Sequence, residues 1–161
     1  METVYIETSI VSFLRPEPAT HIVSAARQLL TRRWWQTERA GFELVTSQYV
    51  IDEASSGNQL LAEERLHWLD GIPVLPDAPE IREIASRIMG LGLLPSKAQV
   101  DALHIASAVH HRIDYLLTWN CKHIANAKIL PRIHALLRSM AIPIPTICTP
   151  EELLGEDSTD D

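Results

Sequence analysis

The sequence predicts an α/β fold in which a mainly parallel sheet is covered by helices on both faces. Two observations support this prediction. Short strand-like segments alternate with helix-like segments along the chain, which is the order typical of parallel sheets. The strand-like segments are also rich in Val, Ile, Leu and Tyr, as expected of strands that are largely shielded from water.

Five segments are predicted to be strands. They are Val4–Glu7, Phe42–Thr46, a short strand within Gly71–Pro76, Asp114–Thr118 and Ile144–Cys148. The third segment contains two prolines, which lack the amide hydrogen that a central strand needs. We therefore expect it at an edge of the sheet.

Helices are predicted between these strands from apolar residues at helical spacing and from end signals. They cover Ile10–Leu14, roughly 20–40, a helix from Ser47 to near Gly57, Leu60–Leu69, Pro79–Met89, Lys97–His111, a helix from about residue 127 or 131 to Met140, and a short one at Thr149–Pro150. Ser96 and Gln99 have capping-box spacing, which predicts Ser96 as the N-cap of the sixth helix.

Length and charge together indicate one folded domain with a short acidic end. The 161 residues fit a single domain, predicted here as residues 1–154, and the acidic segment 155–161 is predicted to be disordered. Four of the seven net negative charges lie in that segment. The remaining charge is still negative, which argues against nucleic-acid binding by bulk electrostatics and would require a metal ion or a partner to reverse the local sign.

The sequence favours a cytoplasmic protein without a membrane span. Cys121 and Cys148 are too few for a disulfide framework or a zinc site. No stretch approaches the roughly 18 apolar residues that a membrane-spanning helix needs. The first residues include Glu2 and Glu7 and have no basic leader, so we expect neither a signal nor a transit peptide.

Potential oxygen ligands occur where the predicted strands end. Functional sites in parallel sheets form beyond the carboxyl ends of strands. Glu7 ends the first predicted strand, and Asn120 follows the fourth. Glu53 and Asp101 are predicted in the first turns of helices, from which side chains can point towards the same edge. Asp101 also has a plainer interpretation as a surface residue that stabilises a helix N-terminus.

Three carboxylates held together without basic partners would repel one another, and a divalent cation removes this repulsion. Oxygen ligands select a hard ion such as Mg²⁺ or Mn²⁺. Such ions activate water and neutralise charge on phosphate groups. The residues alone therefore predict a metal-dependent phosphodiester or phosphate hydrolase.

Four stretches, in this order, carry a resemblance to a known family: Tyr5–Ser9, Val50–Ala54, Asp101–Ala108 and Leu116–Asn126. Together they make the chain similar to PIN-domain proteins, and within that group to VapC-type toxins of toxin–antitoxin pairs. The resemblance implies a three-layer α/β/α sandwich and an Mg²⁺- or Mn²⁺-dependent endoribonuclease. It also implies RNA as the substrate, a homodimer, and inhibition by a cognate antitoxin.

The same resemblance assigns roles to individual residues. Glu7, Glu53, Asp101 and Asn120 occupy the family's catalytic positions, and the first three are expected to hold the metal directly or through water. Glu7 stands where an Asp is usual, which can shift the ion, and the neutral Asn120 would weaken a second metal site. Thr8, Ser9 and Thr118 are predicted to support the site.

Two other interpretations remain open at this stage, and the last strand argues against a third, a receiver domain. A DNA or flap-type nuclease could use the same residues, and a PIN fold weakened by Glu7 and Asn120 could serve as a binding module. A receiver domain would need a lysine on the last strand, and Ile144–Cys148 has none. His104 and His123 could be acids or ligands; the plainer prediction is a partly buried His104 and a structural His123.

Overall fold

The computed structural model describes residues 1–156 and confirms the three-layer α/β/α arrangement. Its five strands form one entirely parallel sheet in the order β3–β2–β1–β4–β5. The strands are β1 (Thr3–Ile6), β2 (Glu43–Ser47), β3 (Val74–Leu75), β4 (Tyr115–Leu117) and β5 (Thr146–Cys148). The proline-flanked strand β3 lies at an edge, as predicted.

Seven α-helices connect or follow the strands in the described residues. They are α1 (Thr8–Phe13), α2 (Ile22–Thr37), α3 (Gln48–Ala54), α4 (Gln59–Leu69), α5 (Pro79–Gly90), α6 (Gln99–His110) and α7 (Leu130–Ser139). Short 3₁₀ turns occupy Arg39–Gly41 and Ser96–Ala98. Local chemistry explains where two of the helices begin. The Asn58 side chain caps α4 by accepting the amide hydrogens of Leu60 and Leu61, and Pro79 is the first residue of α5.

The core is built around the central strand β1. Val4, Tyr5 and Ile6 have no exposed surface, because helices cover both faces of the strand. Helix α6 contributes a face whose apolar residues are also fully buried, as the helical spacing predicted. This packing holds the carboxyl end of β1 in a fixed place relative to α6.

Three local predictions are wrong. Ser96 does not cap α6: it is exposed, and a backbone bond from Ala98 N to Pro95 O (2.8 Å) closes a 3₁₀ turn before the helix. The segment after Thr149 is a single turn and not a helix. Glu53 lies in the last turn of the seven-residue α3 and not in a first turn, whereas Asp101 does lie in the first turn of α6.

The strand order reverses between β1 and β4. The chain runs from β1 outwards to β2 and β3, and then returns to place β4 and β5 on the other side of β1. Glu7 follows β1, and its amide donates to Leu117 O at the end of β4 (3.2 Å). The two strands therefore end side by side at the point where parallel sheets usually form their sites.

The acidic segment predicted at 155–161 falls mostly outside the described residues, which end at Glu156. Its predicted disorder and the domain limits 1–154 stay predictions. Across residues 1–156, none of the helices combines the length and the apolar character needed to cross a membrane.

Candidate metal centre

Glu7 is a buried carboxylate whose Oε2 atom is held by three donors. It directly precedes α1 and accepts the Ser9 amide hydrogen at 3.0 Å. The Thr118 hydroxyl donates to the same oxygen at 2.8 Å, and the Ser9 hydroxyl makes a short contact with it. These bonds stabilise the negative charge of the Glu7 carboxylate. They leave its other oxygen, Oε1, facing His104.

Ser9 and Thr118 also connect Glu7 to the loop after β4. The Trp119 amide donates to Ser9 Oγ at 2.7 Å, and the Asn120 amide donates to Thr118 Oγ1 at 2.9 Å. Two of the three predicted supporting residues therefore contact Glu7 directly and fix its orientation.

His104 contacts Glu53 and also lies near Glu7. His104 Nε2 lies 3.1 Å from Glu53 Oε1 and 3.9 Å from Glu7 Oε1. The His104 side chain is fully buried, whereas the Glu53 side chain is 36% exposed. We call these three residues the glutamate cluster. Their potential ligand atoms all lie within 4.8 Å of one another.

Tyr5 completes the surroundings of His104. The Tyr5 hydroxyl lies 2.8 Å from His104 Nδ1 and 2.6 Å from Ser47 Oγ, and Ser47 Oγ accepts the Val50 amide hydrogen. Burial is the main cause that raises the pKa of Tyr5 far above its ordinary value. The phenol therefore stays neutral and can both donate and accept a hydrogen bond.

The electrostatics of the glutamate cluster favour an ionised pair. Burial would raise the pKa of Glu53, but the hydrogen bond and charge of His104, with help from Thr8, lower it below the ordinary value. Burial would lower the pKa of His104, yet the hydrogen bond to Glu53 and the nearby carboxylates raise it overall. The cluster thus draws positive charge to the space between its two carboxylates.

Asp101 belongs to a second group at the same edge of the sheet. Its Oδ1 accepts a hydrogen from Asn120 Nδ2 at 3.1 Å, and its Oδ2 lies 2.9 Å from His123 Nδ1. The His123 amide in turn donates to Asn120 Oδ1 at 2.9 Å. We call Asp101, Asn120 and His123 the aspartate cluster. Its members bond one another and lie outside the set of ligand atoms around His104.

The structure thus brings together two of the three predicted metal ligands, Glu7 and Glu53. Asp101 is near enough for its charge to act on His104, but its carboxylate is bonded within its own cluster. Asn120 uses both ends of its amide there. The roles of Asp101 and Asn120 towards a metal remain predictions.

The burial of His104 was predicted wrongly: its side chain is fully buried, not partly buried. Its signal was present in the sequence: His104 lies three residues after Asp101 on one helix, and residues at this spacing share a face. Tyr5 carried no comparable signal, because a tyrosine in a strand is ordinary.

The chemistry of the donors fits a divalent cation. Two carboxylate oxygens and one imidazole nitrogen converge, and their excess negative charge needs a positive partner. The Thr8 hydroxyl approaches Glu53 but is buried without a hydrogen-bond partner of normal geometry among residues 1–156. A ligand that carries water into the cluster would supply that partner.

No family model and no curated protein matches the chain. Among solved structures, the chain is similar to one described as the crystal structure of VapBC2 from Rickettsia felis bound to a DNA fragment from their promoter. The identity is 15%, the TM-score is 0.50, and the match covers 91% of this chain and 98% of that chain. At this identity the likeness concerns the fold, and it confirms that the chain has a three-layer α/β/α, PIN-like fold.

Proposed function

We propose that this chain is a metal-dependent endoribonuclease that acts as the toxin of a toxin–antitoxin pair. The observation that carries the proposal is the convergence of Glu7, Glu53 and His104 where β1 and β4 end, at the switch point of a PIN-like sheet. A nuclease needs charge stabilisation at this place, and a bound cation would also offset the overall negative charge of the chain against a polyanion.

The proposed roles of Glu7 and Glu53 differ because one side chain is buried and the other is partly exposed. Glu7, fixed by three donors, would hold Mg²⁺ or Mn²⁺ from the floor of the site, and the more exposed Glu53 would hold it from the solvent side. Such an ion, when bound, activates water and neutralises charge that develops on the phosphate. Thr8 or Ser9 would hydrogen-bond a water on the metal or a phosphate oxygen.

The aspartate cluster would support the same chemistry from the other side. Asp101 is oriented by Asn120 and His123 and would reach the ion directly or through water. Thr118 would keep the loop that carries Asn120 against Glu7. Asn120 would then act by positioning Asp101.

The partners follow from the same proposal. The structural neighbour is a VapBC complex, which supports a cognate antitoxin as the inhibitor of this chain. RNA as substrate, a homodimer, the domain limits 1–154 and a cytoplasmic location complete the proposal. The two cysteines are free in the structure, in keeping with a reducing compartment.

The test is cleavage of labelled structured RNA and of matched DNA with Mg²⁺, Mn²⁺ or EDTA. Glu53→Gln and Asp101→Asn should abolish metal-dependent RNA cleavage. Asp52→Asn is the matched control, because Asp52 is the exposed neighbour of Glu53 on α3 and its side chain accepts a hydrogen bond from Gln48 outside the glutamate cluster. It should cut like the wild type.

Other results would change the proposal in specific ways. Cleavage of DNA in preference to RNA would indicate a DNA or flap-type nuclease with the same site. Equal cleavage by the wild type and both site variants would identify a contaminant. No cleavage of either polymer, with no stabilisation by metal, would favour a PIN-fold binding module.

A further inference from the structure

The glutamate cluster presents a nitrogen donor, His104, beside the predicted oxygen ligands Glu7 and Glu53. His104 Nε2 lies 3.1 Å from one carboxylate oxygen and 3.9 Å from the other. Adjacent ligands around an octahedral ion with bonds near 2.1 Å are about 3.0 Å apart, and opposite ones are about 4.2 Å apart. The distance from Nε2 to Glu53 matches that of adjacent ligands, and the distance from Nε2 to Glu7 lies between the adjacent and opposite values. The three residues are therefore close enough together to hold one ion.

The second nitrogen of His104 is oriented as in a histidine that binds metal. Such histidines usually hold their other ring nitrogen in a hydrogen bond, which fixes both the tautomer and the direction of the ring. His104 Nδ1 can donate to the Tyr5 hydroxyl, and Tyr5 can donate to Ser47 Oγ. With Nδ1 donating in this chain, loss of the Nε2 proton on metal binding leaves the lone pair of Nε2 directed at the space between the two glutamates.

An independent feature also points to a ligand at this place. Thr8 is 8% exposed, and its buried hydroxyl lies close enough to Glu53 to lower the pKa of that carboxyl, but it makes no hydrogen bond of normal geometry within residues 1–156. Unpaired buried hydroxyls are uncommon because each costs free energy. Water bound to an ion between the glutamates would satisfy it.

We propose that His104 Nε2 is a ligand of the metal, together with Glu7 Oε1 and Glu53 Oε1. This inference deepens the metal dependence proposed above and rests on it. The ion takes the place of the proton that joins Nε2 to Glu53 in the metal-free cluster. Because imidazole suits transition metals and Mg²⁺ prefers oxygen ligands, the centre favours Mn²⁺ over Mg²⁺.

The experiment is electron spin echo spectroscopy of Mn²⁺ bound to the full chain, which detects nitrogen coordinated to the ion. Wild-type protein should show coupling to ¹⁴N, and protein made with ¹⁵N-histidine should show it replaced by ¹⁵N coupling. His123→Gln removes the other histidine near the site and should retain the coupling.

His104→Gln should lose the coupling and weaken Mn²⁺ binding by at least about 10-fold, with a smaller change for Mg²⁺. If this buried substitution prevents folding, the labelled wild type and His123→Gln still identify the nitrogen. Both measurements use binding and spectroscopy, so they do not depend on finding the RNA target.

The results separate this inference from the proposed function. Bound Mn²⁺ without nitrogen coupling, in protein that still cuts RNA, would overturn the role of His104 and leave the nuclease intact. Coupling that disappears in His123→Gln would overturn it as well, because it assigns the nitrogen to the aspartate cluster. Absence of both Mn²⁺ binding and RNA cleavage would remove the inference and the proposed function together.

Discussion

The glutamate cluster and the aspartate cluster lie at the same edge of the sheet, yet they satisfy their charges differently. In the glutamate cluster, two carboxylates share one fully buried imidazole, so negative charge remains in excess. In the aspartate cluster, one carboxylate has both oxygens bonded, one to an amide and one to an imidazole that is 15% exposed. Acidic residues that occur in similar sequence patterns can therefore differ in whether their negative charge is balanced by neighbours or requires a bound cation.

The largest expected effect comes from removing the central carboxylate of each cluster. Glu7→Ala leaves donors of the buried Thr118 and the partly buried Ser9 unpaired, which should lower the free energy of unfolding by about 3 kcal/mol. Asp101→Ala should cost only about 1 kcal/mol, because water can reach the groups it leaves. Urea denaturation in EDTA measures both values. Equal losses would mean that the two clusters do not differ in burial as described.

Metal binding should stabilise the protein through the glutamate cluster. At a concentration 100 times its Kd, Mn²⁺ adds about 2.7 kcal/mol, which raises the Tm of a domain this size by about 5 to 10 °C. Glu53→Gln should lose most of this increase, whereas Asp52→Asn should keep it. Thermal unfolding with and without EDTA is the measurement. An undiminished increase in Glu53→Gln would place the ion elsewhere, with the aspartate cluster as the next candidate.

The smallest effect concerns the pH dependence of the metal-free protein. The raised pKa of His104 contributes stability below its ordinary value of 6.5, and this contribution is lost as the pH rises through the raised value. The lowered pKa of Glu53 contributes stability above 4.5, which is lost as the pH falls through the lowered value. Tm should therefore decrease in both directions from the interval between the two folded-state pKa values.

His104→Gln provides the control for this pH profile. It should flatten the decrease on the alkaline side, because the group that titrates there is gone. Measurements of Tm against pH in EDTA would compare it with the wild type. Parallel curves on the alkaline side would show that His104 does not stabilise the fold by holding a proton.

Much of the fold was accessible from the sequence because it depends on local patterns. Alternating segments predicted the parallel sheet, and the prolines predicted the edge strand β3. The N-cap at Ser96 was predicted wrongly, because the Ala98 amide bonds Pro95 O and closes a 3₁₀ turn before α6 begins at Gln99.

The sequence by itself determined that Glu7, Asp101 and Asn120 would lie near one edge of a parallel sheet, because strand ends and helix starts limit where they can be. Glu53 reaches the same edge from the last turn of α3, where the sequence did not place it. Only the tertiary structure decided how they pair. A helix places two residues three apart on one face, but packing against β1 and α3 turned His104 inwards to the glutamates. The loop after β4 brought Asn120 and His123 to Asp101 instead. Hydrogen bonds between residues distant in sequence form only after the core has packed, so no local pattern records them.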